Sequence, residues 1–328
     1  FIGSHLTSKL VEMGNDVVVI DTLIRGNKIP KDVLAKIEFH KVDVADKAKV
    51  IELTKGADII FHFAAILGVD IVADNPIETM ETEVNGMQSV SAAAIQNHIK
   101  KIVYASTSGV YGHLALEKSV DEEIRVDPRT SYAMAKRYNE IYLASLYEEK
   151  GIHSAAIRFF NVYGLRQDNR MVIPRFFEQA SANEPITVFG TGEQTRDFTY
   201  VDDAVKASIL LGKNGKGFEI FNVANEREST IGEVADLIKE LTNSKSEIKF
   251  IDAPKKRYDY EVGRRFGSSE KLIKSTSLSE IQNERWSSDT LLAILSICRH
   301  SILFSTALRA SLNRHLTNRL SSELKLKR

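Results

Sequence analysis

An α/β fold, a parallel sheet wound on both faces, is what this sequence predicts. Three observations carry it. Short β-branched or apolar runs alternate with helical stretches between Asn15 and Phe160, the spacing of strand–helix–strand units. Runs such as Val17-Val18-Val19-Ile20 are continuously apolar, as in strands buried on both faces. The run from Asp58 to Ala65 ends in small residues, which let a flat ligand approach the backbone at a strand's carboxyl end.

Each element follows in order. Phe1-Ile2-Gly3-Ser4-His5-Leu6-Thr7-Ser8-Lys9-Leu10 reads as the opening turns of an amphipathic helix. Asn15 to Asp21 reads as a buried parallel strand ending in an acid. Ile37 to Val44 alternates and reads as a further strand, and Lys47 to Lys55 as a helix. Asp58 to Ala65 is the next buried strand. Glu78 to Asn97 is a long helix carrying Asn85-Gly86. Lys101 to Ser106 is a strand running into Thr107-Ser108-Gly109-Val110-Tyr111-Gly112. Ser131 to Glu149 reads as a helix and His153 to Phe160 as a strand, followed by Asn161-Val162-Tyr163-Gly164. After Gly164 the loops lengthen and the signals shorten. Ile186 to Gly190 and Arg196 to Asp203 are such short signals, and Val205 to Leu211 is helical. Phe218 to Val223 reads as one more strand of the main sheet. Thr230 to Thr242 is a helix whose Thr230 and Glu233 form a capping box. Ile248 to Ile251 is a short strand.

Composition sets bounds. The chain has 328 residues and zero formal net charge, so no global field points to nucleic acid or a membrane surface. Cys298 is the only cysteine, which excludes a disulfide framework and fits a reducing cytoplasm. The first residues show no basic segment followed by an apolar core. The longest apolar stretch, Leu291 to Leu308, is broken by Arg299 and His300. His5, His40, His62, His98, His113 and His153 lack ligand spacing, so no metal site is expected. Phe159, Phe160, Phe176 and Phe177 read first as core aromatics.

One pair stands out chemically. Tyr132 and Lys136 lie four apart on a helix and so share a face. An ammonium beside a phenol favours the phenolate. A phenol tuned that way can take a proton from an alcohol or return it to a carbonyl.

Several signals occur together in one order: Phe1-Ile2-Gly3-Ser4-His5-Leu6, Asp21, His62-Phe63-Ala64-Ala65, Asn85-Gly86, Ser106-Thr107, Tyr132-x-x-x-Lys136, Arg158-Phe159-Phe160-Asn161 and Arg196-Asp197. Over roughly residues 1 to 275 the chain resembles the extended short-chain dehydrogenase/reductase family, the NAD-dependent nucleotide-sugar epimerases and dehydratases, UDP-glucose 4-epimerase among them. The resemblance implies a Rossmann-like NAD-binding domain over 1–165, with the returning strand near 218–223. It implies a smaller α/β region over 166–275 that mainly binds substrate, and it leaves 276–328 as an atypical basic tail.

The same resemblance implies roles. Tyr132 would transfer the proton. Lys136 would lower its pKa and hold the nicotinamide ribose, and Thr107 would hold the reacting sugar oxygen. Gly3 would be the third glycine of the phosphate turn. Asp21 would bind the adenosine ribose and favour NAD over NADP. Asp43 and Val44 would flank the adenine. Phe63, Ala64, Ala65 and Asn85 would line the cofactor cleft, and Phe160 its nicotinamide end. Asn161 and Arg196 would hold a diphosphate, with Arg257 as a second phosphate-facing arginine. Val188, Phe189 and Phe198 would pack near the nucleobase.

The expected activity is 4-epimerization of a UDP-sugar through a 4-keto intermediate. Dehydratase relatives carry Thr-Asp-Glu, and decarboxylase relatives usually Thr-Ser-Glu, where this chain reads Thr107-Ser108-Gly109. UDP-glucuronate decarboxylation is the runner-up, because Ile173-Pro174-Arg175-Phe176-Phe177 and Gly192 to Phe198 also resemble those relatives. A 4,6-dehydratase and an inactive nucleotide-binding fragment are further alternatives. A homodimer is expected from the family, with no nucleic acid or membrane partner.

Two departures from the pattern are expected to matter. The family's first strand and first two glycines precede Gly3 and are not in the sequence, as in a piece of a longer reading frame. From Ser268 to Arg328 there is no Gly or Pro, and from Thr290 onward seven Lys and Arg stand against the single acid Glu323. That stretch reads as a foreign tail or as a basic helical extension. Its loose helical periodicity favours the first.

Overall fold

The computed structural model describes residues 1–66, 69–116, 119–252 and 263–275. Arg257 and the tail after residue 275 lie outside the described residues. In chain order the elements are α1 (Ile2–Glu12), β1 (Val18–Ile20), α2 (Lys31–Leu34), β2 (Glu38–His40), α3 (Lys47–Leu53), β3 (Ile59–His62), α4 (Val69–Asp74) and α5 (Pro76–Gln96). There follow β4 (Lys101–Thr107), a 3₁₀ stretch (Ser108–Leu116), α6 (Ser131–Lys150), β5 (His153–Phe159), β6 (Asn161–Tyr163), α7 (Val172–Ser181), β7 (Ile186–Phe189) and β8 (Thr195–Tyr200). The described chain ends with α8 (Val201–Asn214), β9 (Phe218–Val223), β10 (Glu228–Thr230), α9 (Ile231–Thr242), β11 (Ile248–Ile251) and α10 (Glu270–Ser275).

The main sheet is parallel, in the order β3-β4-β5-β9. Ile59 stands opposite Lys101, Lys101 opposite His153, and Ser154 opposite Phe218. Successive side chains on a strand face opposite ways. Val103 and Ile157 therefore join one core with Leu6, Val201, Val205 and Leu272, under α1, α8 and α10. Ile102 and Tyr104 join the opposite core with Met87, Val90, Leu143 and Leu146, under α5 and α6. Helices thus cover both faces, as parallel strands require.

The β1–β2 pair is also parallel but is not bonded to the main sheet. No described strand joins β1 to β3, at the place the resemblance gives to the strand before Gly3. This corrects the expectation of a buried strand at 15–21. Val18 is 44% exposed, because β1 has a partner on one edge only.

Beyond Gly164 a second core forms. Ile173, Phe176 and Phe177 of α7 and Ile231, Val234 and Ile238 of α9 pack on Val188 and Phe198. Around them lie the β10-β8-β6 sheet and the β7–β11 pair. The Thr230–Glu233 capping box is formed at the start of α9. No helix among the described residues is long and apolar enough to cross a membrane.

Candidate active site

The parallel strands bring most of the singled-out residues to one edge. Asp21 follows β1, Asp43 and Val44 follow β2, and Phe63, Ala64 and Ala65 follow β3. Thr107 ends β4, and Phe160 and Asn161 follow β5. This carboxyl edge is where open α/β sheets bind ligands. Gly86 of α5 holds the two sheet pieces together there. A Cβ on Gly86 would lie 2.9 Å from Val44 Cγ1 and 3.4 Å from His62 Cε1, so only glycine lets α5 sit this close to both strand ends.

At the front of this edge, α1 begins without a side-chain cap from Phe1, and its first turn carries no acid. A Cβ at Gly3 would meet open space. Asp21 Oδ1 accepts the Leu23 N–H at 2.7 Å, which fixes the carboxylate at the strand end. Backbone N–H groups at a helix N-terminus beside a fixed carboxylate suit a pyrophosphate and ribose hydroxyls. Asp43 Oδ1 accepts the Ala45 N–H at 2.8 Å, and Phe63 stacks edge-on with Phe61 and Phe159.

Tyr132 and Lys136 stand on α6. Thr130 caps the helix, its Oγ1 accepting the Ala133 N–H at 3.0 Å, which puts Tyr132 in the first turn and Lys136 one turn deeper. Lys136 Nζ lies 5.3 Å from the Tyr132 ring centroid and 4.7 Å from that of Tyr104. Its closest charged partner is Glu83 of α5, at 2.9 Å, with both side chains at most 1% exposed. Glu83 also accepts from Tyr104 Oη at 3.2 Å. Asn139 Nδ2 donates to Tyr104 Oη at 2.8 Å and to the Glu83 carbonyl at 3.1 Å. His62 stacks at a tilt on Tyr104, 5.5 Å between ring centres. Burial, with Lys136 adding to it, pushes the His62 pKa down to about 3, so the ring is neutral.

This arrangement reverses one expectation. Burial, and then the Glu83 carboxylate, hold the Tyr132 phenol well above its ordinary value, not below it. The main cause is burial of the phenol, and the Glu83 carboxylate, 2.9 Å from the Lys136 ammonium, adds to it. A second expectation changes as well. Asn85 is exposed while Glu83 is buried, since two residues turn a helical side chain by about 200°. Glu83 is therefore the charged side chain α5 turns inward, beside the buried hydroxyls of Thr79, Ser89 and Ser91.

Thr107 Oγ1 accepts the Gly109 N–H at 3.1 Å. A Cβ at Gly109 would stand 3.3 Å from Thr107 Oγ1 and 3.7 Å from Ala133 Cβ, so this turn abuts the first turn of α6. Behind it, Ser106 Oγ donates to Glu140 Oε1 at 2.6 Å. Arg158 grips Glu140 through Nε and Nη2, both at 2.8 Å, and donates to Tyr111 Oη at 3.0 Å. Tyr111 in turn donates to Asn222 Oδ1 at 2.8 Å. These bonds clamp β4, β5 and α6 together beneath the pair.

On the other side, Asn161 of β6 stands opposite Phe198 of β8, two residues beyond Arg196. Arg196 Nη1 donates to the Thr195 carbonyl at 2.8 Å. Val188 and Phe198 are buried in the second core, so they back the region instead of offering a face to a ligand. Phe160 is likewise buried, with Val110, Tyr111 and Val120. Phe189 is half-buried, with the Arg175 guanidinium 4.8 Å from its ring. Among the described residues no cluster of three or more His, Cys, Asp or Glu could hold a metal ion.

Sequence reasoning passed over Glu83, Tyr104, Asn139 and Glu140. A signal for the first was present: Glu83, Met87, Val90 and Ala94 recur at helical spacing on the buried face of α5, which marks Glu83 as an acid in a core position.

Residues 1–224 match the NAD dependent epimerase/dehydratase family. Among curated proteins, the UDP-N-acetyl-alpha-D-glucosaminuronate decarboxylase of Bacillus cytotoxicus is 38% identical over 256 residues, 76% of this chain and 79% of that protein. Among solved structures, the UDP-glucose 4-epimerase of Thermotoga maritima with UDP-glucose is 28% identical with a TM-score of 0.80, covering 90% of this chain and 94% of its own. The Thermus thermophilus UDP-glucose 4-epimerase complexed with NAD is 26% identical with a TM-score of 0.80, covering 92% and 97%.

Proposed function

Because the chain belongs to the NAD-dependent epimerase/dehydratase family, we propose that it catalyses 4-epimerization of a UDP-sugar through a 4-keto intermediate. One observation carries the choice. The turn Thr107-Ser108-Gly109, packed against the first turn of α6, holds no carboxylate. Dehydration and decarboxylation in the relatives resembled call on an acid there. Epimerization needs only a proton-transferring group and an anchor for the sugar oxygen.

In this reading Tyr132 takes the proton from the C4 hydroxyl and later returns it, and Thr107 holds the same oxygen. A bound nicotinamide cofactor supplies the hydride exchange with the sugar carbon. The first turn of α1 at Gly3, with Asp21, Asp43, Val44 and Phe63 to Ala65, would hold it. Asp21 selects NAD, because a carboxylate repels a 2′-phosphate. Asn161 and Arg196 bind the diphosphate by directed, charge-assisted hydrogen bonds. Residues 1–165 with β9 form the cofactor domain, and 166–275 mainly the substrate region.

Decarboxylation of a UDP-uronate is the second reading, favoured by the 38% identity to a decarboxylase. The two separate on product. The purified protein is incubated with NAD and, in turn, UDP-glucose, UDP-N-acetylglucosamine and UDP-glucuronate. A C4 epimer of one of them is expected. Carbon dioxide from the last would replace the epimerase reading with the decarboxylase one.

We also propose a cytoplasmic homodimer. α6 exposes Met134, Tyr138 and Ile141 at helical spacing, and neighbouring α5 exposes Ile77 and Met80. Two such helix pairs would bury this stripe against each other. Light scattering should give twice the chain mass, and Ile141→Glu should give monomers. A wild-type monomer at high concentration would defeat the dimer reading.

A further inference from the structure

We propose that Asp197 is a positioning residue for the substrate side of the site: its buried carboxylate fastens β8, the strand that carries Arg196, to the turn after β9 and to a backbone strap over residues 263–269. The inference rests on the reading of Arg196 as the arginine that holds the diphosphate.

Asp197 is 0% exposed and has no part in the proton transfer. Successive residues of a strand face opposite ways, so Asp197 points away from the face of β8 that carries Arg196. Its Oδ1 accepts the Asn225 N–H at 2.7 Å and its Oδ2 the Glu226 N–H at 3.0 Å. The Gly267 N–H donates to the same carboxylate. Glu226 has a left-handed backbone, with φ 59°, which a residue other than glycine holds only with support. Consecutive N–H groups in such a turn make a concave anion site. Here the anion is the chain's own Asp197.

The strap is fastened along its length. The Thr195 and Asp197 N–H groups donate to the Gly263 and Arg265 carbonyls at 2.9 and 3.0 Å, so the strap runs beside the first half of β8. Glu228 of β10 grips Arg264 through Nε and Nη2, both at 2.6 Å. Glu226 Oε1 accepts the Ser269 N–H at 2.6 Å. On the far edge, the Val120 N–H donates to the Phe266 carbonyl and the Ser268 N–H to the Val120 carbonyl. A Cβ on Gly267 would stand 2.1 Å from Phe160 Cζ, so the strap lies flat on the Phe160 ring.

These ties differ in strength. The Arg264 and Glu228 side chains are 33% and 26% exposed, where an ion pair contributes little. Asp197 is buried, and its loss would strand buried N–H donors without an acceptor, the more costly change. Asp197 therefore decides whether the strap, the turn and β8 stay together behind Arg196. Burial, with Glu226 adding to it, pushes the Asp197 pKa up to about 7 against the pull of its three N–H donors. At about pH 8 the carboxylate outnumbers the acid by about tenfold, and the tests are run there.

Asp197→Asn keeps the volume but puts an amide N–H where an acceptor stood. KM for the turned-over UDP-sugar should rise at least about tenfold with kcat within about threefold of wild type, the mark of lost binding and not of lost chemistry. The Kd for UDP, by calorimetry, should rise in parallel. Arg196→Ala should weaken UDP as well, and adding Asp197→Asn to it should change Kd by less than about twofold, because both act through one group. An effect of Asp197→Asn that is equally large without Arg196 would reduce Asp197 to a structural residue and overturn the proposal.

Hydrogen exchange supplies a readout free of turnover. Peptides over 224–226 and 263–269 should exchange at least about tenfold faster in Asp197→Asn, while those over β4 and α6 keep wild-type rates. Unchanged strap peptides, or protection lost across the whole molecule, would overturn the proposal. If Asp197→Asn does not fold, the wild type decides. Coupling is reciprocal, so saturating UDP should slow exchange in those two segments, and no slowing overturns the proposal. If UDP does not bind the wild type, or binds Arg196→Ala equally well, the diphosphate reading itself fails, and exchange in Asp197→Asn still judges the anchoring.

Discussion

Tyr132 is the residue on which the proposed chemistry turns, and its removal has a definite expected cost. Tyr132→Phe keeps the ring and its packing but deletes the only atom that can carry the proton. kcat should fall by roughly 10²- to 10⁴-fold, the usual contribution of a positioned acid–base group. Binding of a UDP-sugar, measured by calorimetry, should change little. A variant within about threefold of wild-type kcat would contradict the role. The Tyr132–Lys136 pair was legible in the sequence because both residues sit on one helix, where spacing alone fixes a shared face. Glu83 was not legible as its partner. That contact joins two helices, and nothing local to either states which residues will meet. The sign of the Tyr132 shift was not legible for a related reason: burial, its main cause, and the Glu83 carboxylate both arise from tertiary packing.

Among the elements, the clamp of β4, β5 and α6 sets the position of the turn at Thr107. Arg158 and Glu140 are each at most 2% exposed and doubly hydrogen-bonded. Arg158→Met should cost about 3–5 kcal/mol, because it takes from a buried carboxylate its buried, doubly bonded cation and leaves only the half-exposed Arg137. The pH dependence has a fixed sign. Burial works to raise the Glu140 pKa, but Arg158, Ser106 and Arg137 outweigh it and hold the carboxyl below its ordinary 4.5. Stability from Glu140 is therefore complete above about pH 4.5 and lost as the pH falls from there through the lower folded value. Melting temperatures measured from pH 7 downward should show this acid limb in the wild type. In Arg158→Met only Ser106 and Arg137 remain to oppose burial, and the limb should shrink; an unchanged limb would show that the pair does not set it. The strands and long helices were readable because apolar runs, caps and breakers are local signals. Thr230 and Glu233 announced α9 in this way. α7 was harder to read, since Pro174 falls inside its apolar run and only its place in the first turn makes it compatible with a helix. β6 and β10, each three residues long, exist through pairing with β8, which no local pattern encodes.

For the molecule as a whole, the fold gathers strand ends, helix starts and turns onto one edge, with a second core behind Asn161 and Arg196. The alternation of strands and helices foretold that edge. The split between the β1–β2 pair and the main sheet and the fates of Val188, Phe198 and Phe160 did not show in local patterns, because apolar, aromatic and branched residues serve a core, an edge or a ligand equally well until packing decides. The central claim is that this edge oxidises and reduces the same sugar carbon while Tyr132 moves its proton. The most direct measurement uses a turned-over UDP-sugar carrying deuterium at C4, with the product analysed by mass spectrometry and NMR. The account predicts the C4 epimer with the label still on C4. Loss of the label to solvent, or a product one carbon shorter, would contradict it.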